Sequence, residues 1–230
     1  MTLSAVLFDA YGTLFDVHSV AARAEALWPG QGAALSAAWR DKQIEYTRLV
    51  TMSAPADDPG RLYQPFSRLT RAALRHAAAR LGLPCDAAAE EMLMAAYGQL
   101  QPFAENLGVL QALRERGVRT GILSNGDPGM LGAAVAHAGF EPLLEHVLSV
   151  DSVRRFKTDP AAYALGPAAF GLPAAQILFV SSNAWDALGA TWYGYTTLWV
   201  NRSGAPAEQL GPPPTHTGRS LQDVLALFAV

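Results

Sequence analysis

The chain has 230 residues, of which 50% are hydrophobic and 16% charged, with a formal net charge of -3. It is long enough to bury a sizeable core, too apolar to stay disordered, and lacks the basic stripe that a nucleic-acid partner requires. Its one cysteine, Cys85, excludes an intramolecular disulfide and a cysteine metal cluster. A reducing, cytoplasmic location is the expectation, since the first residues show no basic segment followed by a long apolar one.

The first expected element is a strand, "AVLFDA" (5–10), which brings Asp9 to its carboxyl end before a turn through Gly12. From 17 to 99 the chain changes character. "GAALSAAWRDKQIEYTRLV" (32–50) and "PFSRLTRAALRHAAARLG" (65–82) have helical apolar spacing and are joined through the breaker-rich "SAPADDPG". No strand is expected there, so residues 17–99 read as a helical cap domain inserted after strand one, overhanging the sheet's carboxyl edge and able to keep water out. Strands resume with "RTGILSN" (119–125), "HVLSV" (146–150), "QILFVSS" (176–182) and "TTLWVN" (196–201). Their lack of polar alternation predicts burial on both faces of a parallel sheet.

Helical patterns, "NLGVLQALRERG" stopping at Gly117 and "MLGAAVAHAG" stopping at Gly139, separate these strands. The alternation predicts a doubly wound α/β core from residues 1–16 and 100–230, with ligands at the carboxyl ends of the strands. "SGAPAEQLGPPPTHTG" (203–218) reads as a turn-rich loop, and "SLQDVLALFAV" (220–230) as a closing helix with Ser220 as N-cap. Between Pro160 and Asn201 the only charge is Asp186, yet prolines and glycines keep every run short of the ~20 apolar residues of a membrane span. No membrane partner is expected.

Four strand ends thus deliver polar residues to one edge: Asp9 and Thr13, then Ser124 and Asn125, then Lys157, then Ser181, Asn183 and Asp186. Singly each has a plainer reading. Asp9 could satisfy its own turn, Ser124 and Asn125 could form a strand-to-helix turn, Lys157 could be a solvated loop residue, and Asp186 could N-cap the following helix. It is their convergence that points to chemistry. The five histidines, His18, His76, His137, His146 and His216, show no ligand spacing and read as surface or capping residues, and no Gly-rich phosphate loop occurs.

"FDAYGTLFDVHSV", "WRDKQIEY", "LSNG", "KTDPAAY" and "SSNAWDALGA" closely resemble the haloacid dehalogenase (HAD) superfamily, and within it the L-2-haloacid dehalogenases. The resemblance covers nearly the whole chain, thinning at 51–65 and in the C-terminal tail. It implies a Rossmann-like, HAD-type core with a helical cap, and cofactor-independent hydrolysis of short L-2-haloacids, or haloacetates, to 2-hydroxy acids of inverted configuration. Much of the superfamily consists of magnesium-dependent phosphatases, which keep an acid two positions after the nucleophile; here that position is Tyr11. A halide leaves without a proton, so this absence suits carbon–halogen cleavage. Asn183 stands where a further metal-holding acid would be, so no metal is expected. A phosphatase, or a catalytically silent binding protein of the same fold, are the alternatives.

The resemblance also implies roles. Asp9 would attack C2 and form an ester, oriented by Thr13 and kept ionised by Lys157, which would also separate the charges of Asp9 and Asp186. Asp186, with Ser181 and Asn183, would activate the hydrolytic water, and Tyr163 would support the site. Ser124 with the amides of Ala10 and Tyr11 would hold the substrate carboxylate; Arg40 and Asn125 would receive the halide; Tyr11, Phe66 and Trp185 would form an apolar wall. Homodimers are common in the family, and one is expected here. Three departures stand out: Asp41 could pair with Arg40 and weaken halide capture, Gly166-Pro167 should break a helix, and "SAPADDPGRLYQ" lengthens the cap linker and could alter which substrates fit.

Overall fold

The computed structural model describes residues 2–228. The five predicted runs form β1 (Ala5–Phe8), β2 (Arg119–Ser124), β3 (His146–Ser149), β4 (Ile177–Ser181) and β5 (Thr196–Val200), joined by β6 (His216–Gly218). They make one six-stranded sheet in the order β3-β2-β1-β4-β5-β6, every neighbouring pair parallel. β1 is central: Leu7 lies between Gly121 and Phe179, and Phe8 between Ile122 and Val180. All four of its residues are buried, which is why its sequence does not alternate. The chain builds outward from β1 to β2 and β3, then returns to the other side with β4 and β5. The junction of β1 and β4 is therefore the switch point where a crevice opens.

Five helices lie between β1 and β2, and the first four, α1 (Ser19–Leu27), α2 (Gly32–Met52), α3 (Phe66–Arg80) and α4 (Ala87–Tyr97), fall within residues 17–99. α2 buries Leu35, Trp39, Gln43 and Thr47, a single stripe at four-residue spacing. Against it α3 sets Phe66, Leu69, Thr70, Ala73 and Leu74. Two polar contacts fix the register of this pair: Trp39 Nε1 donates to the Thr70 carbonyl at 2.7 Å, and Gln43 Nε2 to Thr70 Oγ1 at 2.6 Å. The remaining helices are α5 (Asn106–Glu115), α6 (Pro128–His137), α7 (Pro160–Tyr163), α8 (Leu165–Phe170), α9 (Ala184–Tyr193) and α10 (Asp223–Ala226). Among the described residues no helix is long and apolar enough to cross a membrane.

Four expectations are corrected. β6 sits inside the stretch read as loop, because a three-residue strand is too short to show a period and exists only through its pairing with β5. β3 is not covered on both faces: it is an edge strand, and Val147 is 43% exposed. His146 and His216 are strand residues, both half-buried, and the His146 ring stands edge-on to Phe170. The closing helix shrinks to the four residues of α10, and Ser220 does not cap it directly; instead Asp223 Oδ2 accepts from the Arg219 and Ser220 amides. Residues 229 and 230 of that expected helix lie outside the described residues.

The helix is interrupted as expected, but at Ala164, which divides α7 from α8 and places Gly166-Pro167 in the first turn of α8. The linker segment folds back on the core. Tyr63 stacks on Phe156 at 5.0 Å and donates to Asp151 at 2.7 Å, while Thr51 Oγ1 accepts from the Phe156 amide at 3.2 Å.

Candidate active site

Because the strands are parallel and in register, their carboxyl ends emerge side by side, and the loops there carry the polar residues together. Asp9 follows β1 directly, its amide still bonded to Val180 of β4. Gly12, at φ +92°, then turns the chain so that Thr13 faces back toward Asp9, a conformation that L side chains rarely adopt. Thr13 Oγ1 donates to Asp9 Oδ2 at 2.9 Å and accepts from the Ser182 amide at 2.8 Å, tying the β1 loop to the β4 loop.

Asp9 is nearly buried and its two oxygens are used unequally. Oδ2 accepts from Thr13, from Asn183 Nδ2 at 2.8 Å and from Ser181 Oγ at 3.4 Å; among the described residues Oδ1 accepts only from Lys157 Nζ, at 3.0 Å. Lys157 Nζ also donates to Asp186 Oδ2 at 2.9 Å, so one buried ammonium bridges two buried carboxylates. Tyr163 Oη completes Asp186, donating to Oδ1 at 2.8 Å. Asp186 lies in the first turn of α9, but its carboxylate points to Lys157 and Tyr163 and not to the helix amides.

Buried charges shift one another. Burial alone would lower Lys157, yet Asp186 and Asp9 outweigh it and the ammonium is held above its usual value. Burial pushes Asp186 up, Lys157 pulls it down, and Asp9 pushes it up again, leaving it at about 6 against an ordinary 3.8. Lys157 therefore offsets the repulsion between the carboxylates without cancelling the cost of burial. Tyr163, raised well above its usual value by burial and by Asp186, stays a protonated donor.

The other predicted residues surround this cluster. Tyr11, Arg40, Phe66, Ser124, Asn125 and Trp185 line one cavity with Asp9. Tyr11 is buried and stacks on Phe66 at 5.6 Å. Asn125 Oδ1 accepts from the Lys157 amide at 2.9 Å, and Ser124 Oγ from the Gly126 amide at 3.0 Å. The amides of Ala10 and Tyr11 donate no bond among the described residues. Arg40 reaches from α2 to the core, bonding the Tyr11 carbonyl at 3.2 Å and Asn183 Oδ1 at 3.4 Å. The cavity measures about 10 Å³, room for one water centre.

One expectation about Arg40 fails. Asp41 points to solvent and forms no pair with it among the described residues; successive helical residues face different directions. Arg40 is held instead by Gln43 Oε1 at 2.7 Å, and Gln43 is in turn held by Thr70.

A divalent ion does not fit this donor set. Asp9 Oδ2 and the Tyr11 carbonyl face a common space, and both already accept from Asn183 Nδ2, the carbonyl also from Arg40. An ammonium fills the gap between Asp9 and Asp186. N–H donors thus stand where a cation would need to sit.

Sequence reasoning missed Arg202. Its guanidinium donates to Ser182 Oγ at 2.6 Å and the Thr13 carbonyl at 3.2 Å, pairs with Glu105 at 3.0 Å, and lies 3.8 Å over the Phe103 ring. The one signal available was an arginine just past the end of β5, at the same sheet edge.

An aspartate at the switch point of a parallel sheet, bridged to a second buried acid by lysine beneath inserted helices, is an arrangement for attack at one carbon or phosphorus centre. A family model of haloacid dehalogenase-like hydrolases matches residues 3–194, and the chain belongs to that family. An (S)-2-haloacid dehalogenase of Pseudomonas sp. (strain YL) is 44% identical over 98% of this chain and 94% of its own. The crystal structure of an L-2-haloacid dehalogenase is 57% identical with a TM-score of 0.96, each chain covered to 99%. A third relative, the L-2-haloacid dehalogenase of Xanthobacter autotrophicus with chloropropionic acid covalently bound, is 36% identical with a TM-score of 0.88, each chain covered to 98%.

Proposed function

We propose that this hydrolase is an (S)-2-haloacid dehalogenase, cleaving the carbon–halogen bond of short L-2-haloacids or haloacetates through an aspartyl ester. The observation that carries the reading is the unequal use of the Asp9 oxygens: Oδ2 is anchored by three donors while Oδ1, among the described residues, accepts from Lys157 alone, and Asp9 lines the closed cavity. Oδ1 attacks C2 from the side opposite the halogen; the C–O bond forms as the C–X bond breaks, and the halide leaves with the electron pair. Arg40 and Asn125 receive it where negative charge develops. Ser124 and the free amides of Ala10 and Tyr11 hold the substrate carboxylate, while Phe66, Trp185 and the Tyr11 ring exclude water. The residue two positions after Asp9 is Tyr11 and not an acid, and a departing halide requires none. Holding the reactants in line supplies on the order of 7–11 kcal/mol of barrier lowering.

Water then attacks the Asp9 carboxyl carbon. Asp186, poised near pH 6, takes its proton, with Ser181 and Asn183 positioning the water and Tyr163 and Lys157 holding Asp186. The 2-hydroxy acid leaves with an oxygen from Asp9 and takes back the proton; Asp9 keeps the oxygen from water and releases water's second proton to solvent, which restores the carboxylate. The stereocentre is displaced once, so L-substrate yields D-product. The covalent chloropropionic acid of the Xanthobacter relative supports an ester step.

In this reading residues 17–99 act as the cap and 1–16 with 100–230 as the core; the single cysteine accords with a cytoplasmic enzyme, and a homodimer is what the family resemblance implies. The test is halide release from each enantiomer of 2-chloropropionate with chelator present, Asp9→Asn alongside. Release from the L form alone, lost in the variant, is expected. Release from neither form, or activity abolished by chelator, overturns the reading.

A further inference from the structure

A cavity of about 10 Å³ cannot admit a haloacid as it stands, so its wall must part somewhere. Beyond the Arg40–Asn183 bond, α2 meets α9 at this wall through one further charged side chain. Arg48, two turns beyond Arg40 on α2, lays its guanidinium over the ring of Trp185 on α9, 5.2 Å from the ring centre. Outside lies a second cavity of about 310 Å³, lined by Arg48, Thr51, Met52, Arg155, Lys157 and Asp159. The two cavities share no lining residue; Lys157 lies between them, lining the outer one while its ammonium bonds Asp9 and its amide bonds Asn125 of the inner one.

The charges of the outer cavity are not all neutralised. Arg155 is paired with Asp159 at 2.9 Å, and Lys157 is held by Asp9 and Asp186. Arg48 is exposed and, among the described residues, has neither a carboxylate nor a hydrogen-bond partner. It is an unpaired guanidinium on the lining of the outer cavity, laid over the ring of a residue that lines the inner one. Guanidinium and carboxylate match in a planar, two-bond geometry.

We propose that the outer cavity is a carboxylate-binding antechamber, in which Arg48 captures the 2-haloacid anion before it passes Trp185 to Asp9. The site deepens the dehalogenase reading and rests on it. Arg48 makes no contact with the reacting atoms, so it governs capture and not turnover.

The experiment compares wild type, Arg48→Met and Arg48→Lys for halide release across substrate concentration at low and high salt. Arg48→Met should raise KM, lower kcat/KM at least about fivefold at low salt, flatten the salt dependence and leave kcat within about twofold. Arg48→Lys should restore most of kcat/KM. Propionate, which has no halogen to lose, should bind wild type calorimetrically and bind Arg48→Met more weakly; this readout stands even if no halide is released. Unchanged kcat/KM and salt dependence in Arg48→Met, unchanged propionate affinity, or a lysine variant no better than the methionine one, overturns the proposal.

Discussion

Tyr195 donates its hydroxyl to the main-chain oxygen of Tyr163 at 2.5 Å. That oxygen would ordinarily accept from the amide four residues on, but residue 167 is proline and has none. Gly166 makes the substitution possible, since a Cβ there would collide with the Tyr195 hydroxyl and with Leu7. The helix break, the glycine and the distant tyrosine are thus one device, and it ends at the residue that holds Asp186. Tyr195→Phe should leave a buried carbonyl unpartnered and cost about 1–3 kcal/mol. The denaturant midpoint measures this; an unchanged midpoint would show the carbonyl finds another donor.

The raised acid sets a pH dependence with opposite signs for activity and stability. Water activation needs the Asp186 carboxylate, so kcat should fall along a one-proton limb as pH drops below about 6. Between pH 3.8 and about 6 the folded chain keeps a proton that the unfolded chain has released. This residue's contribution to stability therefore declines as pH rises through that window, by on the order of 3 kcal/mol, and is flat above it. Paired pH–rate and pH–denaturation profiles read both signs, with Asp186→Asn removing the stability slope.

Lys157 works in the same direction, through a window at higher pH. Its raised value contributes stability that is fully present below its usual range and is lost as pH climbs through the folded value. Lys157→Met leaves two buried carboxylates facing each other without a counterion. A loss of about 3–5 kcal/mol is expected at pH 8, and less at pH 5, where Asp186 can take a proton. Halide release should vanish at both. Equal destabilisation at the two values would contradict the bridge.

Arg202 touches nothing that reacts, yet it braces both loops that aim Asp9. Arg202→Ala should lower kcat by roughly 10- to 100-fold through misplacement of Thr13 and Ser182, with KM little changed. Lysine cannot reproduce the fork that spans Ser182, Thr13 and Glu105, so Arg202→Lys should recover only part. A KM effect without a kcat effect would instead place Arg202 at the substrate.

Much of this molecule follows from short-range pattern. The unalternating strands, the helical insertion, and the placing of Asp9, Ser124, Lys157 and Asp186 past strand ends are consequences of residue spacing and of parallel geometry, which aligns all carboxyl ends. The interruption ahead of Pro167 needs only the missing amide. What tertiary structure alone decided is who meets whom across the sheet. β6 exists because β5 offers it a ladder, Arg40 turns from Asp41 to Gln43 because the helix fixes their directions, and Arg202 and Tyr195 reach the site from residues distant in sequence. No local period records such contacts, because they are satisfied donors and acceptors brought together only when separate segments pack.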